Sequence, residues 1–257
     1  MSTADLLGNA EPHDNTSTNP KTPAAGSVTG SNPATDSDEI RSLTRMAGWA
    51  GIAVFALWLC QPILVSLLAS SGADDSPDMA ALEANSWVGG FDAVLFSAMG
   101  AASLVMILAV WRAMRLTGAA DGILSSVGFA MALVGATAWF WVAGHGLSMY
   151  TSVGAGLAEV SADSEIQAAS LQASYLAVTG GLLVVGIGSI GWNALLATSG
   201  RRSGLIGRPL SVVFGAFAAI PLYQAAVPFA TPWPLVVAVL GSLVLGIALL
   251  VKSRKRG

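Results

Sequence analysis

The chain has 257 residues, 54% of them hydrophobic and only 11% charged, and a formal net charge of −3. An average soluble domain carries about 25% charged residues, so this composition excludes an ordinary soluble globule and offers no basic surface suited to nucleic acid. The single cysteine, Cys60, excludes an intrachain disulfide and a cysteine-built metal site.

In chain order, residues 1–40 are rich in Ser, Thr, Asn, Pro, Gly and acidic residues. With no periodic apolar face to bury, they are expected to form a disordered cytoplasmic tail. They do not read as a secretory signal, because the first apolar run begins only at Met46 and the short basic and apolar segments of a signal are missing.

Six continuous apolar runs follow, over 46–69, 91–114, 122–150, 173–197, 209–229 and 234–251. At 1.5 Å per residue each is long enough to cross a hydrocarbon core of roughly 30 Å as a helix. They are too long, and too little alternating, for barrel strands. The expected fold is therefore an all-α polytopic membrane domain over 41–252, with six transmembrane helices, followed by a basic tail over 253–257.

Charges between the runs set the expected orientation. Arg41 and Arg45 precede the first run, Arg112 and Arg115 end the second, and Arg201, Arg202 and Arg208 separate the fourth from the fifth. Lys252, Arg254, Lys255 and Arg256 end the chain. The two long remaining gaps hold Asp74, Asp75, Asp78 and Glu83, then Glu159, Asp163 and Glu165, without lysine or arginine. Under the positive-inside rule both termini are cytoplasmic. Asp75 is expected outside and Arg202 inside.

Small residues recur every four positions at Ala93, Ser97 and Ala101 and again at Gly128, Ala132 and Ala136. Such stripes allow close helix approach, so the second and third helices are expected to pack along them. The glycine-rich fourth run is expected to be buried in the bundle.

Polar residues gather toward the outer ends of the runs. Gln61, Asp92, His145, Tyr150, Gln172, Tyr175, Tyr223 and Gln224 fall in one layer together with Pro62 and Pro221. Each proline removes a helical hydrogen bond and frees a carbonyl, Trp58 and Phe217 respectively. An outward-facing polar recess for a small or lipid-like ligand, or for a partner protein, is the expected site. His145 has two further readings, a group hydrogen-bonded at the interface to Asp92, Tyr150 or water, and half of a His-x-x-x-Met pair with Met149. Two ligands fall short of a metal site, so neither metal nor cofactor is expected.

Catalysis lacks its partners. Gly188-Ser189-Ile190-Gly191 sets a serine among glycines, but serine chemistry needs an adjacent base and the apolar span of the sixth run has no histidine or lysine. The membrane midplane carries no ionisable residue of the kind that marks ion pathways. The chain thus reads as non-catalytic, the alternatives being a substrate-binding membrane subunit of a transporter and a membrane enzyme acting on lipid.

Arg45-Met46-Ala47-Gly48-Trp49-Ala50-Gly51-Ile52, the acidic and alanine-rich loop after the first run, and Ser199-Gly200 with 201–209 resemble a bacterial family of six-helix integral membrane proteins classed as a domain of unknown function. The resemblance covers about 45–229. It implies a six-helix fold in the bacterial cytoplasmic membrane, and it carries over no catalytic or binding residue.

Overall fold

A computed structural model describes residues 33–68, 86–148, 164–226 and 233–255. The described residues form six α-helices: α1 Pro33–Leu68, α2 Ser86–Leu116, α3 Ile123–Ser148, α4 Ser164–Leu195, α5 Arg208–Ala226 and α6 Trp233–Lys255. A π-helical turn, Leu196–Gly200, extends α4. Five helices contain apolar stretches long enough to cross a membrane: Asp36–Leu67, Ser86–Leu116, Ile123–Ser148, Gln172–Gly200 and Leu235–Arg254. The fifth helix offers a shorter one, Arg208–Ile220.

α1 begins earlier than its apolar run. Helix already occupies Pro33 to Ile40, so the last part of the expected tail is ordered, whereas residues 1–32 lie outside the described residues. Proline suits the first helical position, because the amide it lacks would be unpaired there anyway. Ile40, Thr44, Ala47 and Val54 recur at helical spacing and are buried, so one face of this extension packs on the bundle. Glu39 fixes it from the side, accepting a 2.6 Å bond from Arg112 Nε on α2. Pro62 leaves the assigned helix unbroken through to Leu68.

The α2–α3 connection is tight and has a physical stop signal. Gly118, at φ +66°, donates to the Arg115 carbonyl at 3.0 Å, and Ala119 donates to the Met114 carbonyl at 3.0 Å. These two bonds form a Schellman cap, which favours glycine in the left-handed position. The chain then turns through Gly122 at φ +123° into α3.

Neighbouring helices pack in the order α1, α2, α3, α4, α6 and back to α1. Five helices thus close a ring, while α5 packs chiefly against α4 and α6. Two glycine crossings draw the ring together. A Cβ on Gly188 of α4 would stand 2.5 Å from the Cα of Gly135 of α3, and one on Gly51 of α1 would stand 2.5 Å from the carbonyl oxygen of Ser242 of α6. Only glycine permits so close an approach.

Gly128, the first member of the α3 stripe, faces Gly191 of α4, and Gly135, outside that stripe, crosses Gly188, which corrects the expected pairing of stripes between α2 and α3. Those two helices meet through aromatic rings instead. Phe96 stacks on Trp139 with centroids 5.7 Å apart, and Trp111 stacks on Phe129 at 4.4 Å. Ala101, the last member of the α2 stripe, is exposed. The buried glycines of α4 agree with expectation, though Gly180 has open space around it.

Large apolar side chains cover the outside. Val94 is 72% exposed and Val212 is 73% exposed, an arrangement unfavourable in water and suited to lipid. In length, composition and surface the bundle fits a membrane-embedded protein.

Candidate functional site

Contacts between helix ends sort the charges. Glu39 joins Arg112, bringing the start of α1 to the end of α2. Ser125 and Ser199 share a buried 2.7 Å hydrogen bond, which ties the start of α3 to the end of α4. Gly48 lies against Leu250, so the end of α6 reaches the same region. Arg41, Arg45, Arg112, Arg115, Arg201, Arg202, Lys252 and Arg254 consequently belong to one end of the bundle. Gln61, Asp92, His145 and Gln172 belong to the other.

At that second end, α1 and α2 bring two expected site residues together. The Gln61 side chain lies beside the Asp92 carboxylate. Asp92 Oδ1 is buried and makes no hydrogen bond among the described residues. A carboxylate oxygen removed from water without a donor is costly, because desolvation is not repaid. This atom is the clearest unmet polar demand in the predicted layer.

His145 stands apart from that pair. Its ring centroid lies 4.4 Å from that of Trp141, one turn earlier on α3, at 47°. The Trp141 indole nitrogen donates to the Ala177 carbonyl of α4 at 3.2 Å. His145 is thus held on the α3–α4 side by an aromatic contact. Depth is shared nonetheless. Measured along the helices from the Phe96–Trp139 stack, Asp92 lies about 6 Å and His145 about 9 Å outward.

Gln172 is exposed on α4. Tyr150, and Met149 beside it, lie outside the described residues. Tyr175 belongs to α4, and Tyr223 and Gln224 to α5, but their side chains lie outside the described residues. Among the described residues, no cluster of three or more His, Cys, Asp or Glu side chains could hold a metal ion.

A second polar region lies on the ring axis, and it was missed in the sequence. A cavity of about 50 Å³ is lined by side chains of α1, α2, α3, α4 and α6, including Ser103, Ser189, Trp192 and Ser242. Ser189 donates its hydroxyl proton to the Gly186 carbonyl at 2.6 Å, and Ser242 donates to the Ala238 carbonyl at 3.0 Å. Next to Trp192 in sequence, Asn193 is 1% exposed, with neither amide atom hydrogen-bonded among the described residues. It lies near Gly241 of α6. An asparagine deep in an apolar run is itself a signal, because polar groups in membrane helices turn inward. Its helix partners could not be read from the sequence.

Comparison with family models, with curated proteins and with solved structures finds no match to this chain.

Proposed function

We propose that the chain is a six-span protein of the bacterial cytoplasmic membrane, with both termini inside. Its outward end holds a small polar or lipid-like ligand, or the polar group of a membrane partner, without catalysing a reaction on it. The carrying observation is Asp92, whose carboxylate lies beside Gln61 while Oδ1 stays buried without a donor. A ligand or partner presenting an N–H or O–H group would meet that demand.

Orientation is supported by the segregation of charge. The arginines and lysines share one end, so the positive-inside rule makes Gln61, Asp92 and His145 outward. α5 completes the even number of crossings that this orientation needs. Its 19 residues extend about 28 Å as a helix, close to the thickness of a thin bilayer. The resemblance noted over 45–229 leads to the same layout.

Native mass spectrometry of the protein released from its own lipids tests the reading, comparing wild type with Asp92→Asn and His145→Ala. A specific adduct weakened in Asp92→Asn supports it. No adduct on folded wild type, or one indifferent to both substitutions, refutes the outward site.

A further inference from the structure

The axial cavity makes a separate demand. Trp192 is only 7% exposed and lines the cavity, and its indole Nε1 is buried without an acceptor among the described residues. An indole N–H can only donate. Ser189 and Ser242 have already given their hydroxyl protons to carbonyls of their own helices. Their oxygens therefore retain lone pairs and can accept. Ser103 adds a third hydroxyl to the same lining.

Any occupant must accept from the indole and donate to hydroxyl oxygens. An apolar molecule would do neither. Nor does the lining compensate a bare ion, since none of its residues is ionisable. Size narrows the choice further: about 50 Å³ suits a few water molecules, since each needs at least roughly 10–15 Å³ of accessible volume and two to four polar partners.

We propose that the five-helix axis binds structural water, held by the Trp192 indole as donor and by the Ser189 and Ser242 hydroxyls as acceptors. The site lies inside the apolar span and is distinct from the outward layer around Asp92. Water here supplies the partners that the membrane interior withholds and joins α4 to its neighbour α6.

The test is proton NMR of the full chain, ¹⁵N-labelled at tryptophan, in lipid nanodiscs. Trp192→Phe assigns the Trp192 indole resonance, and water-selective NOE and ROE spectra report its neighbours. A direct water cross-peak of the sign given by a long-lived bound molecule is expected in wild type. Ser242→Ala, which removes the acceptor without adding volume to the cavity, should reduce that cross-peak at least twofold. A resolved Trp192 indole resonance in wild type that shows acyl-chain cross-peaks and none to water would overturn the proposal. So would a water cross-peak left unchanged in a folded protein that carries both Ser242→Ala and Ser189→Ala.

Discussion

Gln61 of α1 lies beside the carboxylate of Asp92 of α2, although 31 positions of sequence and an acidic connection separate them. The pair joins two neighbouring helices at the end of the bundle opposite the arginines. One carboxylate oxygen of Asp92 is buried there without a donor.

Gln61→Leu removes the donor and keeps the carboxylate, so stability should fall by about 1.5–3 kcal/mol, the range for hydrogen bonds to charged groups. Asp92→Asn keeps an acceptor for Gln61 and should cost less. Combining Gln61→Leu with Asp92→Leu should recover part of the loss, with a coupling of about 0.5–3 kcal/mol. Reversible unfolding in mixed micelles measures all three. Strict additivity would show that the two side chains do not interact.

The common depth of Asp92 and His145 was legible because rare polar residues in long apolar runs can be placed by counting from a charged end. Counting gives depth but not azimuth. It put Asp92 and His145 at one level, and it could not tell that Asp92 turns to Gln61 while His145 rests on Trp141. Helix pairing failed for the same reason. Gly128 and Ala132 mark a smooth face of α3 whichever neighbour fills it, and the rings of Phe96, Trp139, Trp111 and Phe129 hold the α2 side. The early start of α1 escaped notice because Ile40 and Thr44 bury a narrow stripe within a polar segment. Trp192 and Asn193 were passed over because a tryptophan and a single asparagine raise little signal until the ring closes around them.

The glycine crossing sets a second expectation. Gly188→Val would drive its side chain into the backbone of Gly135, whose Cα lies 2.5 Å from the site of a Cβ. Overpacking of this kind typically costs about 1–3 kcal/mol. Gly144→Ala faces open space and should change stability by no more than about 0.5 kcal/mol in either direction. Thermal denaturation of both variants in one detergent separates them. Equal melting temperatures would mean that α3 and α4 do not cross at Gly135 and Gly188.

The Glu39–Arg112 pair should matter little to stability. Its arginine is 66% exposed, and exposed pairs typically contribute about 0.2–1 kcal/mol. Arg112→Ala should therefore lower stability by at most about 1 kcal/mol, and the difference from wild type should shrink as salt is raised, because exposed charges are screened. A difference that persists undiminished at 1 M salt would contradict a solvent-exposed pair.

Binding at Asp92 from outside requires that the end carrying Asp92 face outward. Alkaline phosphatase and a cytoplasm-only fluorescent reporter, each fused in turn after Asp75 and after Arg202, measure this directly. Phosphatase activity at Asp75 with fluorescence at Arg202 is the predicted result; fluorescence at Asp75 with phosphatase activity at Arg202 would invert the bundle and contradict an outward-facing Gln61–Asp92 site.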